Sequence, residues 1–111
     1  MKAGHYTEVT ALDAEEGAVA TKIRCLIGEE SGAPNFSMRH LEIAPGGHTP
    51  FHTHAWEHEV FGLSGEGVVV GESGEKPFGP GVWVFVPPGE KHQFHNTGTE
   101  PLGMICVVPN G

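Results

Sequence analysis

Short segments rich in β-branched and aromatic residues alternate with glycine and proline along the whole chain. The first two cover residues 19–27 and 35–44, and the turn-forming residues 45–47 follow the second. Such residues favour strands, and regularly spaced turn signals are typical of all-β sandwiches and barrels. The pattern therefore predicts an all-β fold rather than one built on helices.

Further apolar segments occur later in the chain. We expect residues 58–63 to pair with residues 67–72 in a hairpin across the turn at Ser64 and Gly65. Residues 12–16 form the one plausible helix, although they lack an apolar stripe. Eight short strands without a long helix predict a β-barrel of the jelly-roll type. The remaining strand segments are residues 51–54, 82–86, 92–96 and 102–108.

The length and charge of the chain limit what it can be. Its 111 residues, 38% of them hydrophobic, suit one domain with one modest core, and residues 1–18 form a short N-terminal arm. A formal net charge of −8 argues against nucleic acid and against anionic lipid as partners. No apolar run reaches the roughly 20 residues of a membrane span, and no secretory signal is visible.

The two cysteines, Cys25 and Cys106, are too few for a disulfide scaffold. We therefore expect a reduced, cytoplasmic setting. A bridge between the two remains open, because strands distant in sequence can pair.

Four of the eight histidines have a spacing that suits a metal ion. His52 and His54 lie two residues apart, so on a strand both rings point to one face, about 6.6 Å apart. His58 follows four residues later, and His92 begins a later strand that sheet pairing can bring opposite the first three. Imidazole is the commonest transition-metal ligand. The spacing therefore predicts a metal site at these four residues.

The other four histidines are not expected to bind the metal. His95 lies three residues after His92 and so faces the other side of a strand. His48 lies in a glycine-rich turn, where it can border the pocket. His5 and His40 have no partner visible in the sequence, and we expect both on the surface.

The histidines lie within two motifs that resemble those of the cupin family. Residues 46–65 have the spacing G-x5-H-x-H-x3-H-x6-G of the first cupin motif, and residues 81–96 read G-x5-P-x-G-x2-H-x3-N, like the second. Between the motifs lie 15 residues, a short spacing similar to that of small prokaryotic cupins. The resemblance implies a double-stranded β-helix, the cupin jelly-roll barrel, holding one divalent metal in its mouth.

Where most cupins carry a glutamate, the spacing places His58. On the strand 58–63, His58 and Glu59 point to opposite faces, so we expect His58 as the ligand, although an alignment slip of one residue would select Glu59. The run from His52 to Phe61 resembles that of small manganese-binding cupins with four histidines. This resemblance implies manganese, with iron next, while ligand type alone leaves zinc, nickel and copper open.

Strand alternation also indicates which side chains line the pocket. Met104, Cys106 and Val108 share one face of the last strand, and in similar cupins that face looks into the barrel. Phe94 shares a face with His92 and packs beside the metal. For Cys106 we favour a small core hydrophobe over an outer partner of the metal site or a redox-sensitive thiol.

Five further residues near the motifs are tentative parts of the site. Trp56 walls the cavity or anchors the corner between ligands, and Gly62, which weakens its strand, opens space over the metal. Arg39 would hold a substrate carboxylate if it faced inward, but we expect an outward-facing surface or dimer ion pair. Glu57 and Glu59 are candidates to accept the second N–H of a ligand histidine.

The leading functional hypothesis is a small metal-dependent oxidoreductase. Four protein ligands leave open positions on the metal, and the cupin resemblance suggests dioxygenase-like chemistry with O2 or peroxide and a small organic substrate. One alternative is a redox-silent Lewis acid for isomerase, lyase or decarboxylase chemistry, with His48 or Glu59 carrying a proton. The other is a non-catalytic sensing or binding module.

Edge strands in so small a β domain need cover, so we expect a homodimer. Phe61 and Leu63 lie on the face opposite His58 and supply its apolar contact.

Overall fold

The computed structural model describes residues 1–110, which form one curled antiparallel sheet. This confirms the all-β jelly-roll prediction. The single-turn 3₁₀ helices Tyr6–Glu8 and Glu29–Ser31 are the only helical segments in this range, and neither could span a membrane. The strands are β1 (Leu12–Asp13), β2 (Val19–Ile27), β3 (Phe36–His48), β4 (His58–Ser64), β5 (Gly67–Gly71), β6 (Gly74–Phe78), β7 (Trp83–Val86), β8 (Gln93–Asn96) and β9 (Leu102–Pro109).

The sheet curls into a half-barrel around its longest strand, β3. Most of β3 lies between β2 and β9, while His48 at its end pairs with His95 of β8. The path of paired strands runs β6-β5-β8-β3-β9-β4-β7. Within residues 1–110 no pairing joins β6 to β7, so the barrel is open along this seam.

The strand after the Ser64-Gly65 turn does not pair as the sequence predicted. β5 pairs with β6 and β8, while β4 lies between β7 and β9. The missed strand, β6, reads Gly-Glu-Lys-Pro-Phe, and its exposed polar positions carry little strand signal. The turn therefore leads the chain from one half of the barrel to the other instead of closing a hairpin.

Three other local predictions are wrong. Within residues 12–16 there is no helix, because Leu12–Asp13 pairs with β2. Residues 45–47 do not end β3. Thr21 pairs with Ile43 and Val19 with His48, so the residues between Ile43 and His48 form a bulge that accommodates Pro45. Residues 51–54 contribute one isolated bridge instead of a strand.

The core lies directly beneath the cavity described below. Inward-facing positions alternate along β9, as its burial pattern shows. Val60, Phe94, Met104 and Cys106 belong both to the core and to the wall of the cavity. The full set of core side chains is Ile43, Val60, Val69, Phe78, Phe94, Leu102, Met104, Cys106 and Val108.

Candidate metal centre

Four histidine rings meet at the wall of a cavity of about 430 Å³. One nitrogen from each of His52, His54 and His92 lies within 4.8 Å of the other two. His58 joins them, since its Nε2 is 2.6 Å from His54 Nε2 and its ring is 5.3 Å from that of His92. The structure thus brings together all four histidines that the spacing selected. Glu59, the alternative to His58, is exposed on the other face of β4.

Backbone pairing fixes the positions of these rings. His52 and His92 exchange both N–H···O bonds of an antiparallel bridge, at 3.3 and 3.0 Å. The N–H of Gly89, in the Pro-Pro-Gly turn, donates to the carbonyl of His54 at 2.9 Å. His58 begins β4 opposite Val86 of β7. The second motif therefore holds the first in place and also supplies the fourth ring.

The outer ring nitrogens of two histidines are held by backbone carbonyls. His54 Nδ1 lies 2.9 Å from the carbonyl of Trp56, and His92 Nδ1 lies 2.8 Å from the carbonyl of Glu90. Because a carbonyl only accepts, each Nδ1 carries the proton in the neutral ring and each Nε2 keeps its lone pair. Metal-binding histidines are commonly oriented in this way by an outer partner.

The contact between His54 and His58 tests whether the cluster fits a metal ion. At 2.6 Å, His54 Nε2 accepts a hydrogen bond from His58 Nε2, and a metal ion that binds both nitrogens would replace the shared proton. Neutral imidazole nitrogens grouped around one point suit a divalent transition metal. The three-histidine cluster of His52, His54 and His92 is therefore a candidate metal site, and its donor atoms do not select one metal.

Burial keeps two of the rings neutral. Together with the neighbouring His54, His92 and Arg39, burial lowers the pKa of His58 to about 3. Burial also lowers the pKa of His92, although the hydrogen bond to the carbonyl of Glu90 opposes the shift. Metal binding needs unprotonated imidazole, and both rings supply it at neutral pH.

Cys106 is the outer partner of His58 as well as a core residue. Its Sγ lies 2.9 Å from His58 Nδ1 and 3.7 Å from Arg39 Nη2. Burial raises the pKa of the Cys106 thiol, and Arg39 opposes that shift. Cys106 and the exposed Cys25 are both free, so the bridge that the sequence left open is not formed.

Most of the side chains expected in the pocket line the cavity. Arg39 faces into it, in contrast to the surface ion pair that we favoured from the sequence. Val108 packs in the core and does not line the cavity. The proposed role of Gly62 is wrong, because a Cβ there would lie 1.9 Å from the carbonyl oxygen of Gly79, so backbone already fills that space. The predicted residues that do line the cavity are Arg39, Trp56, Phe94, Met104 and Cys106.

The acids near the cluster are not the ones that the sequence suggested. Glu57 and Glu59 are exposed, and neither has a hydrogen bond or ion pair to a histidine within the described chain. Instead, Glu15 Oε1 lies 3.9 Å from His52 Nδ1 and borders the cavity. Sequence reasoning missed Glu15 because it lies in the stretch interpreted as a helix, far from the motifs. No spacing signal connects it to His52.

The remaining histidines lie outside the cavity wall. His40 is buried, because the N-terminal arm covers it and the ring of Tyr6 stacks on it at 4.5 Å. The expectation of a surface position is therefore wrong for His40, whereas His5 is exposed as expected. His48 and His95 stack on each other at 5.5 Å, and neither borders the cavity.

Comparison with known proteins agrees with the fold. A family model described as "Cupin domain" matches residues 39–108. The solved structure of the polyketide cyclase RemF from Streptomyces resistomycificus is 36% identical with a TM-score of 0.93, and the match covers 100% of this chain and 80% of that one. A sugar phosphate isomerase from a cupin superfamily, from Silicibacter pomeroyi, is 26% identical with a TM-score of 0.75, over 83% of this chain and 60% of that one.

A curated relative matches a smaller part of the chain. The 1-methylthio-D-xylulose 5-phosphate methylsulfurylase of Rhodospirillum rubrum is 32% identical over 71 residues, which are 64% of this chain and 46% of that protein. The match therefore spans about half the length of that relative.

Proposed function

Since the chain belongs to the cupin family, we propose that it is a metal-dependent enzyme. We infer that it catalyses a reaction without net oxidation on a small carbonyl compound. The observation that carries the proposal is the orientation of the rings. Backbone carbonyls hold Nδ1 of His54 and His92, so the Nε2 atom of each ring keeps a lone pair for a metal ion, and both rings line a cavity large enough for a small organic molecule. Cavities of this size are usual for small-molecule sites.

We propose His52, His54, His58 and His92 as the ligands of one divalent ion. Bound there, the ion would supply Lewis-acid polarisation of a carbonyl or hydroxyl oxygen. We propose manganese, with iron next, because the first motif resembles that of four-histidine manganese cupins. Zinc, nickel and copper suit the same donors.

The other cavity residues divide the remaining tasks. Leu41, Phe94 and Met104 provide an apolar wall that excludes water from the organic part of the substrate. Glu15 is the one acid among the described residues that line the cavity. We assign to its carboxylate the removal of a proton from the carbon beside the polarised carbonyl.

The names of two relatives favour this chemistry over oxygen chemistry. One is named as a polyketide cyclase and the other as a sugar phosphate isomerase, and neither name describes an oxidation. These names support the redox-neutral proposal, which places the oxidoreductase hypothesis second.

The test is hydrogen–deuterium exchange, in the strict absence of oxygen, at the carbon beside the carbonyl of pyruvate and of hydroxyacetone. We expect the metal-loaded protein to accelerate the exchange seen by NMR. The variant H92A should lose this activity, Glu15→Gln should reduce it at least about tenfold, and H95A should retain it as a matched control. No exchange without oxygen, together with oxygen consumption in air, would support the oxygenase instead. Binding without any turnover would support the sensing module.

We also propose that a second copy of the chain covers the outer face of β4 and β7. Four large apolar side chains on these neighbouring strands support the proposal, and Trp83 is 76% exposed. Light scattering at low micromolar concentration should give about twice the chain mass of 11.8 kDa, whereas Trp83→Glu should give the single-chain mass. A wild-type monomer would reject the dimer. The four side chains are Phe61, Leu63, Trp83 and Phe85.

A further inference from the structure

The two arginines of the chain have different surroundings. Arg24 Nε donates to the carbonyl of Val9, and its guanidinium lies over the ring of Tyr6, 5.3 Å from the centroid. Arg39 instead faces the cavity, opposite Cys106 of β9 in the register of the sheet. Although the chain is acidic overall, one of its six basic side chains lines the cavity beside the histidines.

The guanidinium of Arg39 has more donors than partners. It carries five N–H groups, but within the described chain its one hydrogen bond goes to the sulfur of Cys106, at 3.7 Å. Its Nε is buried and has no partner among the described residues. A buried donor left unpaired is unfavourable, because the hydrogen bond it made to water is not replaced. An acceptor that enters the cavity can instead take hydrogen bonds from the terminal N–H groups of Arg39.

The cavity offers Arg39 no carboxylate of its own. Glu15, the one acid in the described wall, lies 3.9 Å from His52 Nδ1, and no ion pair involves Arg39 within residues 1–110. A thiol is a weak acceptor, so Cys106 does not neutralise the charge. The planar fork of a guanidinium matches the two oxygens of a carboxylate or phosphate.

Arg39 also lies close to the histidine cluster. Cys106 Sγ contacts both Arg39 Nη2 and His58 Nδ1, so one sulfur atom separates the guanidinium from the ring. A ligand that reaches both the cluster and Arg39 needs its two polar groups only a few bonds apart.

We propose that Arg39 binds an anionic group of the substrate, which is a small carbonyl compound with a carboxylate or phosphate a few bonds from the reacting oxygen. This inference rests on the proposed function for the role of the carbonyl. It adds the substrate class, which the histidines alone leave open.

Calorimetric titration with matched probes tests the proposal. Pyruvate is compared with the neutral pyruvamide, and hydroxyacetone phosphate with hydroxyacetone, so the two arms distinguish a carboxylate from a phosphate. We expect wild-type protein to bind at least one anion about tenfold or more tightly than its neutral analogue. In Arg39→Met this preference should vanish, and Arg39→Lys should restore part of it. Lys22→Met removes an exposed charge from the neighbouring strand and should keep the preference.

The outcomes separate this inference from the proposed function. Titrations are run with metal-stripped as well as metal-loaded protein. If both metal-stripped and metal-loaded protein prefer the anionic probe through Arg39 but neither turns a substrate over, the anion site is supported and only the proposed function is rejected. Equal binding of charged and neutral probes by wild-type protein, or a preference that survives in Arg39→Met, would overturn the anion site whatever the activity.

Discussion

The inward face of strand β4 has different surroundings at its two ends: a cavity at His58 and closely packed backbone at Gly62. At its start, His58 stands in a group of rings around the cavity, within contact of His54 and Cys106. Four residues later, Gly62 lies where the backbone of Gly79 leaves no room for a side chain. We call the surroundings of Gly62 the packed region and those of His58 the histidine region. The comparison teaches that a missing side chain does not create a cavity when another backbone fills the space.

Two buried polar groups of the barrel also differ in whether their hydrogen bonds are made. The Asn96 amide, 1% exposed, donates to the carbonyls of Ile43 and Glu100 and accepts from Gly98 N–H. Arg39, beside the histidine region, leaves Nε without a partner in the described chain. Buried polar groups are normally satisfied, so the unpaired Nε of Arg39 agrees with the proposed ligand site but does not establish it alone.

The largest expected effect is on metal binding in the histidine region. Replacing His54 by alanine removes one ring nitrogen and the contact with His58. We expect metal affinity to fall by more than about 100-fold, since loss of outer partners alone costs 10–100-fold. The measurement is competition with a chelator, and H95A is the matched control. Affinity within about threefold of wild type in H54A would contradict the assignment of this ring.

The packed region should respond through stability instead. In Gly62→Ala the new Cβ would lie 1.9 Å from a backbone oxygen, so strands must shift. We expect the free energy of unfolding to drop by about 3 kcal/mol, the upper part of the range for overpacking. Urea denaturation measures it, with Gly4→Ala as control because its Cβ would meet only a flexible side chain at 3.3 Å. An unchanged midpoint for Gly62→Ala would reject the close approach.

An intermediate effect is expected at Cys106, a core residue that also contacts His58. Cys106→Val keeps an apolar side chain at this core position but takes away the partner of His58 Nδ1. We predict about tenfold weaker metal binding, with partial recovery in Cys106→Ser, since oriented ligands bind more tightly. Cys25→Ser is the control in the same titration. Equal affinity for Cys106→Val and wild type would show that the sulfur does not orient the ring.

Acid should weaken the metal-free fold through its buried rings. Burial lowers the pKa of His40, and burial with neighbouring charges lowers that of His58 to about 3. Between about pH 3 and pH 6.5 the unfolded chain binds protons that the folded chain does not. The free energy of unfolding is therefore highest above about pH 6.5 and decreases as the pH is lowered. Denaturation of metal-free protein over this interval measures the slope. His40→Phe should make the free energy of unfolding depend less on pH, and His5→Phe should not. An unchanged pH dependence in His40→Phe would contradict the contribution assigned to His40.

The smallest effect is expected for Glu59→Gln. Its side chain is exposed and points away from the cluster, so metal affinity should stay within about twofold of wild type. A large loss in the same chelator competition would favour Glu59 as the ligand in place of His58.

Sequence reasoning predicted the features that depend on local spacing. Motif spacing selected the four histidines that lie together, although His52 and His54 are not on the strand that alternation assumed, and Val19–Ile27 forms a strand as expected. The pairing of β5 with β8 was not predictable in this way, because it joins residues far apart in the chain. The same applies to Glu15 beside His52 and to the arm over His40. Long-range contacts of this kind leave no periodic signal.

Gly62 shows a different limit. Alternation correctly indicated that it shares the inward face with His58, since both are buried on β4. Its role depends on the backbone of Gly79, which lies on another segment and has no side-chain signal in the sequence. A glycine on a ligand-bearing strand is therefore compatible with open space and with close packing.

X-ray absorption spectroscopy of the metal-loaded protein tests the central claim most directly. We predict one ion per chain with four imidazole nitrogens in its inner shell and no sulfur scatterer at bonding distance. The inner shell should lose one imidazole in H58A and stay unchanged in H95A. A sulfur ligand, a shell with two or fewer imidazoles, or the same shell in H58A would contradict the four-histidine site.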